Sequence, residues 1–198
     1  MLDLRDVASV TAFVADVEAR LGPIAILVNN AGIGIHHSVE DHDEAEWLGV
    51  IDTNLNGPFR VIRAVIGGMK ARGHGRIVNI ASTAAHMATE THAAYCASKS
   101  GLLGLSRAVA LEGAPHGVTS VTVSPTWVET DMLRESSATM AVAAGRTIEE
   151  EIAELARANP QGRLVQPEEI AALVAFLCSD TAPALTMEDI QVNAGAFW

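Results

Sequence analysis

The sequence predicts an α/β fold, in which a doubly wound parallel sheet carries helices on both of its faces. Four short apolar runs rich in branched residues predict the strands, and along the chain they read IAILVNN, RIVNIAS, VTSVTVSP and DIQVN. Segments with helical spacing separate these runs, and strands that alternate with helices are typical of a parallel sheet. The first run predicts a buried strand. No repeat or linker divides the sequence, so we expect residues 1–198 to form a single domain.

The helices are predicted from apolar spacing and from their start and stop signals. The first helix follows Asp6 or Ser9 as a possible cap and stops at Gly22-Pro23. An acidic, Ala-rich segment over 131–160 has few strong core anchors, and we predict a helical, mobile lid there. The other predicted helices cover about 44–72, with a possible break at Gly57-Pro58, then about 92–112, and a last one that opens at Pro167.

Composition and charge exclude several classes of protein. The hydrophobic content of 49% is enough for one good core, and the formal net charge of -11 repels phosphate backbones, so nucleic-acid binding is not expected. Two cysteines, Cys96 and Cys178, are too few for a disulfide framework and indicate reduced thiols inside a cell. The acidic start does not resemble a signal peptide, and the apolar runs are far shorter than the ~20 residues of a membrane helix. We therefore expect a cytoplasmic protein without a membrane partner.

Polar residues gather where the predicted strands end. Asn29-Asn30-Ala31-Gly32 follows the first strand, Ser82 follows the second, and Ser124-Pro125-Thr126 ends the third. Ligands of an open parallel sheet bind beyond these carboxyl ends. Tyr95 and Lys99 lie in the helix that follows Ser82, and their spacing of four residues places them on one face of it. The sequence therefore predicts a site at this edge of the sheet.

Tyr95 is the only tyrosine of the chain, and Lys99 is one of two lysines. The pair is either a chance pairing on a solvated helix face or a couple for proton transfer. Unperturbed Tyr has a pKa of ~10, too high for an efficient base near neutrality. An ammonium ~4 Å away contributes about 4 kcal/mol at an effective dielectric of ~20, so Lys99 is expected to bring the pKa of Tyr95 near neutral. Ser82 can polarise a substrate oxygen.

These motifs together resemble the short-chain dehydrogenase/reductase family over essentially the whole chain. The resemblance rests on NNAG at 29–32, Asn54 within DTNLNG, Ser82, the Tyr95-x-x-x-Lys99 pair thirteen residues later, and TWVETDM and QVNAGAFW near the end. It implies a Rossmann-like fold and hydride transfer between NAD or NADP and a carbonyl or secondary alcohol substrate. It also implies a homo-oligomer, a dimer or a tetramer.

The resemblance also implies roles for single residues. Tyr95 would be the general acid or base, and Asn54 would hold a water that connects Lys99 to solvent. The implied catalytic set is Asn54, Ser82, Tyr95 and Lys99. The implied cofactor-binding set is Asp3, Leu4, Asn30, Ala31, Gly32, Tyr95, Lys99, Pro125, Val128 and Thr130.

Three departures from the family pattern open an alternative. Nothing in the chain matches the TGxxxGxG turn with which family members begin, and we expect about 50–60 residues of the family pattern to be absent. That loss would remove a pyrophosphate site and expose apolar edges of the sheet. Thr126 and Met187 also stand where the family has glycine. The chain is therefore predicted to be an NAD(P)-dependent oxidoreductase, with a truncated, non-catalytic remnant or assembly partner as the alternative.

Histidines, a methionine and a tryptophan also lie near the predicted site. His36, His37 and His42 accompany Asp41 and Asp43 without ordered ligand spacing, so we expect no metal and favour a substrate-side loop or plain solvated polarity. Trp127 is expected to be a packing group that could also touch substrate. His86, Met87 and His92 flank the active face and are expected to shape the pocket. The Met- and Ala-rich lid suits a moderately apolar carbonyl compound.

Overall fold

A computed structural model describes residues 2–196 of the chain. Four parallel strands form one sheet in the order β1-β2-β3-β4. The strands are β1 (Ile26–Asn29), β2 (Gly75–Ile80), β3 (Val118–Pro125) and β4 (Asp189–Val192). All four predicted strands are thus confirmed. Met1 lies outside the described residues, as do Phe197 and Trp198 at the end of the QVNAGAFW motif.

Seven α-helices accompany the sheet in this part of the chain, together with a π-helical turn and short 3₁₀ turns. Asp6 caps the first helix, because its side chain accepts a hydrogen bond from the backbone of Ala8 at 2.8 Å. The helices are α1 (Val7–Leu21), α2 (Glu44–Ile51), α3 (Gly57–Arg72), α4 (Ala93–Gly113), α5 (Asp131–Ala144), α6 (Ile148–Ala158) and α7 (Pro167–Leu177).

The possible break around Gly57-Pro58 coincides with an irregularity, because the π-helical turn Asp52–Asn56 ends where α3 begins at Gly57. Pro58 lies in the first turn of α3, where its missing N–H is not needed and where its fixed φ suits a helix. The irregularity lies just before it, in the π-helical turn Asp52–Asn56. This turn carries Asn54, which is fully buried.

Helices cover both faces of the sheet, as the doubly wound prediction requires. On one face, Ile77 of β2 and Val118 of β3 pack with residues of α3 and α4. On the other face, Val78 of β2 and Val121 of β3 pack with residues of α7. Adjacent residues of β2 point to opposite faces because side chains alternate along a strand. The two central strands are therefore buried from both sides.

The first strand differs from its prediction, because β1 lies at an edge of this sheet. Ile26 and Val28 are 49% and 40% exposed, although IAILVNN predicts a buried strand. Leu27 points the other way and packs against the core. Within the described residues β1 pairs only with β2, and the exposed apolar side chains agree with the predicted apolar edge.

A network of buried polar side chains joins the strands below their carboxyl ends. Asn29 donates to the side-chain oxygen of Asn79 at 2.8 Å, and Asn79 donates to Ser106 of α4 at 3.2 Å. The hydroxyls of Ser106 and Ser120 are 2.9 Å apart. Because buried polar groups are costly unless they are paired, this network fixes the register of β1 to β3 and the position of α4.

The lid segment is better anchored than its sequence predicts. Leu133 of α5, Leu155 of α6 and Leu164 are buried together. Trp127 and Met140 pack against them, so Trp127 is a packing group as expected. The leucines are far apart in the sequence, and for that reason their cluster is not visible there. The mobility of the lid stays a prediction.

The last strand begins after a strained residue. Met187 adopts a left-handed φ of 66°, and its N–H donates to the carbonyl of Ser120 at 2.8 Å. This conformation favours glycine, the residue that the family resemblance implies at this position.

Within residues 2–196, no helix is long and apolar enough to cross a membrane.

Candidate active site

Ser82 and Tyr95 meet where β2 ends. Ser82 caps a short 3₁₀ turn, in which its hydroxyl oxygen accepts from the backbone of Ala84 at 3.1 Å. Tyr95 lies in the first turn of α4, half-buried, and the Ser82 side chain is close enough to its phenol group to lower the pKa of Tyr95. Two hydroxyl groups are thereby held side by side above the carboxyl end of the sheet.

Lys99 lies one helical turn after Tyr95 and is only 3% exposed. Its Nζ atom donates to the backbone carbonyl of Ile80 at 2.8 Å. The same atom is 5.5 Å from the centre of the Tyr95 ring. The solvated-face interpretation of this pair is therefore wrong, because the ammonium group is buried at the end of β2.

The electrostatics of this pair correct one expectation. Burial raises the pKa of Tyr95 above its ordinary value, and the hydrogen bond from Ser82 opposes that rise only in part. Burial also lowers the pKa of Lys99 to about 8. The prediction that Lys99 brings the pKa of Tyr95 near neutral is thus wrong. Desolvation of the phenolate, which a sequence does not reveal, has the larger effect here.

Asn54 ties the loop after β1 to α4. Its side-chain oxygen accepts from the N–H of Ile33 at 2.9 Å, and its Nδ2 donates to the carbonyl of Ile33 at 2.8 Å. The same Nδ2 donates to Ser98 at 3.1 Å, and Ser98 donates to the carbonyl of Tyr95 at 2.8 Å. Sequence analysis missed Ser98 and Ile33. A serine three residues after Tyr95 is the one local signal for the first of them.

The NNAG turn brings the backbone of a glycine, Gly32, close to Lys99. A Cβ atom on Gly32 would lie 3.4 Å from the Nζ of Lys99 and 3.5 Å from the Oδ1 of Asn54. A Cβ atom on Gly34 would lie 3.7 Å from the Tyr95 ring. Asn30 and Ala31, which belong to the same turn, are exposed. The structure thus brings together Gly32, Asn54, Tyr95 and Lys99 of the predicted set, with Ser82 beside Tyr95.

The segment after β3 borders the lid. Pro125 ends β3 and is buried. Val128 forms an isolated parallel bridge with Val165. Thr130 caps α5, where its hydroxyl accepts from the backbone of Leu133 at 3.3 Å and donates to the carbonyl of Val128 at 3.3 Å.

Leu4 lies against the start of α3, and Asp3 directly precedes it. The carboxylate of Asp3 binds the Arg5 guanidinium, and these hydrogen bonds lower the pKa of Asp3 to about 2. A Cβ atom on Gly57 would come within 2.9 Å of the Leu4 side chain, and the Leu4 carbonyl accepts from Arg60 at 3.0 Å.

Histidines of the loop after β1 contact the loop before α4. The two ring nitrogens of His36 lie 2.6 Å from the hydroxyl of Ser136 and 3.3 Å from that of Thr91. His37 instead pairs with Glu46 at 2.9 Å. In the described part of the chain, no group of three or more potential ligands could hold a metal ion. The sequence identified His36 only as a member of a loop, because its partners lie 55 and 100 residues away.

Comparisons with known proteins find reductases that are similar to this chain. A family described as enoyl-(acyl carrier protein) reductase matches residues 1–196. The chain is 43% identical over 197 residues to a putative ketoacyl reductase of the monensin polyketide synthase from Streptomyces virginiae, covering 98% of this chain and 76% of that protein. It is 38% identical over 197 residues to the 3-oxoacyl-[acyl-carrier-protein] reductase of Escherichia coli, covering 100% of this chain and 76% of that protein.

Solved structures resemble the fold equally well. A variant of actinorhodin polyketide ketoreductase, solved with NADPH, matches with a TM-score of 0.95 and 40% identity, covering 98% of this chain and 75% of the other. A ligand-free aldohexose dehydrogenase of Thermoplasma acidophilum matches with a TM-score of 0.91 and 32% identity, over the same shares of the two chains. The Rossmann-like fold is thereby confirmed.

Proposed function

The chain belongs to the short-chain dehydrogenase/reductase family, and we propose that it reduces a carbonyl group to a secondary alcohol by hydride transfer from NADH or NADPH, with Tyr95 as the general acid. One observation carries this proposal. Tyr95 lies beside Ser82 and one turn before the buried Lys99, at the carboxyl end of a central strand.

The two hydroxyl groups suit a carbonyl oxygen that becomes an alkoxide. Ser82 donates to that oxygen and stabilises its developing negative charge. Tyr95 donates the proton that completes the alcohol. Because burial raises the pKa of Tyr95, its phenol is protonated at neutral pH, which is the form that a proton donor in reduction needs.

A nicotinamide cofactor, when bound, supplies the hydride, and the residues at this end of the sheet fit such a group. Gly32 leaves open the space in front of the Lys99 ammonium, where a larger side chain would stand. We propose that Asn30, Ala31, Gly32 and Lys99 hold the ribose side of the cofactor. Support comes from the similar ketoreductase, which was solved with NADPH. The remaining members of the proposed cofactor-binding set are Asp3, Leu4, Tyr95, Pro125, Val128 and Thr130.

Asn54 acts in this proposal mainly as a positioning residue. All three of its hydrogen bonds are made within the chain, to Ile33 and to Ser98. They hold the loop after β1 against α4, and so keep Gly32 close to Lys99. The water relay that the family resemblance implies stays a prediction.

We propose a 3-oxoacyl compound as the substrate class. The support lies in the names of relatives, which include two ketoacyl reductases and an acetoacetyl-CoA reductase of Shinella zoogloeoides that is 40% identical over 196 residues. Such substrates carry a ketone next to a moderately apolar chain, which suits the Met-containing lid.

The test is consumption of NADH or NADPH by the purified chain with acetoacetyl-CoA as substrate. Tyr95→Phe keeps the ring and removes the proton donor, so we expect turnover to fall by roughly 10²- to 10⁴-fold. Ser100→Ala is the matched control, since Ser100 lies on the same helix and donates only to the carbonyl of Ala85 at 2.9 Å. Wild-type turnover by Tyr95→Phe would refute the role of Tyr95. A folded wild type that consumes neither cofactor would favour the non-catalytic alternative.

A further inference from the structure

His86 connects the turn that carries Ser82 to the last strand. Its Nε2 atom lies 2.7 Å from the Oδ2 atom of Asp189, at the start of β4. The side chain of Asp189 is 8% exposed and that of His86 is 23% exposed, so this contact is largely shielded from solvent. The two residues lie 103 positions apart in the sequence, and the reaction described above uses neither of them.

The carboxylate of Asp189 is a fixed anchor for this contact. Its Oδ1 atom accepts hydrogen bonds from the hydroxyls of Thr122 at 2.6 Å and Ser124 at 2.7 Å, both in β3. Its Oδ2 atom faces His86. Burying a carboxylate is costly unless its oxygens are paired, so the two hydroxyl groups keep Asp189 against the central strand. The ring of His86 therefore meets a group that does not move with the turn.

The turn from Ser82 to His86 is a short unit that is attached at both of its ends. The carbonyl of Ser82 accepts from the N–H of Ala85 at 2.9 Å, and the N–H of His86 donates to the carbonyl of Thr83 at 2.9 Å. Directly before the turn, the N–H of Ala81 donates to a carbonyl of β3 at 2.8 Å. A single 3₁₀ turn has hydrogen bonds of poor geometry. The contacts of Ala81 and His86 therefore set where the turn lies above the sheet.

We propose that the His86–Asp189 pair positions Ser82, so that the Ser82 hydroxyl meets the carbonyl oxygen of the substrate. The proposal rests on the proposed function, in which Ser82 donates to that oxygen. His86 and Asp189 are positioning residues, because they act through the turn and do not touch the substrate. A misplaced donor loses its effect on the developing charge while substrate binding persists, so loss of His86 lowers kcat rather than raising KM.

The test measures kcat and KM for acetoacetyl-CoA with the cofactor that the wild type consumes. His86→Leu removes the nitrogen that meets Asp189, so we expect kcat to fall by roughly 10- to 100-fold and KM to change by less than about twofold. His86→Gln can donate from its amide near the position of Nε2 and is expected to restore most of the rate. His116→Leu is the matched control, since His116 is exposed and lies in a 3₁₀ turn at the other end of the sheet.

A second comparison separates positioning from plain support of the fold. Ser82→Ala has no hydroxyl group to place, so adding His86→Leu to it is expected to change kcat by less than about twofold. Equal falls with and without the Ser82 hydroxyl would mean that His86 does not act through Ser82. An unchanged kcat in His86→Leu would overturn the proposal as well.

If the wild type consumes neither cofactor, the proposed function fails first. NMR of the ¹³C-tyrosine-labelled chain then decides whether His86 positions Ser82, because Tyr95 is the only tyrosine and its ring signal needs no assignment. Ser82 is close enough to the phenol to lower the pKa of Tyr95, so a displaced Ser82 changes that signal. A shift in His86→Leu, with none when the same replacement is made in Ser82→Ala, supports the positioning role. No shift, or an equal shift in both backgrounds, refutes it.

Discussion

The ammonium group of Lys99 donates a hydrogen bond to the carbonyl oxygen of Ile80 at 2.8 Å. Ile80 is the last residue of β2, so the backbone of the strand itself fixes the lysine. The Nζ atom lies 5.5 Å from the Tyr95 ring centre in this arrangement. The charge is thus held beside the proposed cofactor-binding turn, where Gly32 approaches it.

Burial of Lys99 predicts a pH-dependent stability. Its pKa is about 8 in the folded chain, against ~10.4 in an unfolded one. Below pH 8 both states bind the proton, and between about 8 and 10.4 only the unfolded state keeps it. The contribution of Lys99 to the free energy of unfolding therefore rises over this window, by up to roughly 3 kcal/mol, and is lost as the pH falls to 8.

Urea unfolding of the wild type and of Lys99→Met, measured between pH 7 and 10.5, checks this prediction. We compare the free energy of unfolding of Lys99→Met with that of the wild type at each pH. The variant's advantage is expected to be largest below pH 8 and to shrink as the pH rises. Lys70→Met is the matched control, because the other lysine pairs with Glu112 at 3.4 Å on the surface. A constant difference between Lys99→Met and the wild type would contradict the burial argument.

Loss of the Asn54 amide is expected to destabilise the chain and loosen the loop after β1. Asn54→Ala removes two hydrogen bonds with Ile33 and one with Ser98, all in a buried place. We expect the free energy of unfolding to fall by roughly 2–4 kcal/mol in urea titrations. Asn56→Ala is the control, since this side chain makes one half-buried bond to Asp52 and should cost about 1 kcal/mol. Equal losses for the two variants would show that Asn54 does not hold the loop.

Elements with a strong local pattern could be predicted from the sequence. The bounds of β3 match VTSVTVSP residue for residue, because a run of branched residues between turns favours a central strand. Helix α4 begins and ends within one residue of its prediction. The prediction that Gly32, Ser82 and Lys99 lie at one edge of the sheet also holds, because the carboxyl ends of parallel strands meet at the same edge.

Features that depend on contacts between distant segments could not be predicted. The side-chain hydrogen bond between Asn54 and Ser98 joins residues 44 positions apart. No local sequence pattern predicts the π-helical turn that carries Asn54. The expected pKa of Tyr95 was wrong because burial around the phenol comes from tertiary packing. The burial of His92 likewise involves a distant segment, because His37 forms an isolated parallel bridge with it.

Asp189 at the start of β4 is expected to be a major contributor to stability. Its carboxylate is 8% exposed, accepts from Thr122 at 2.6 Å and Ser124 at 2.7 Å, and pairs with His86 at 2.7 Å. Asp189→Ala leaves buried hydroxyl groups without this acceptor, so we expect a loss of about 3–5 kcal/mol in the free energy of unfolding.

The control for Asp189 is Asp16→Ala, which removes the same charge from an exposed ion pair with Arg20. That variant should lose no more than about 0.5 kcal/mol, because exposed pairs contribute little. Thermal and urea unfolding of the two variants side by side measure the difference. If Asp189→Ala were as stable as Asp16→Ala, the bonds that join β3, β4 and the loop after β2 would contribute little to stability.

Gly32→Ala tests whether the NNAG turn faces the proposed cofactor. The new Cβ atom would lie 3.4 Å from Lys99 and 3.5 Å from Asn54, which are ordinary contacts, so we expect the free energy of unfolding to change by less than about 1 kcal/mol. The same methyl group would fill space that the cofactor needs. We expect the Kd for NADPH, measured by fluorescence titration, to rise by roughly 5- to 150-fold, as for an overpacked contact of 1–3 kcal/mol.

Gly34→Ala is the matched variant, because its Cβ atom would lie 3.7 Å from the Tyr95 ring and not at Lys99. We expect it to leave the Kd for NADPH within about twofold and to act on turnover instead, since it crowds only the proton donor. The pair of variants separates the cofactor side of the turn from the substrate side. An unchanged Kd in a folded Gly32→Ala variant would mean that the cofactor does not approach this backbone, and the proposed binding set would have to move away from the first strand.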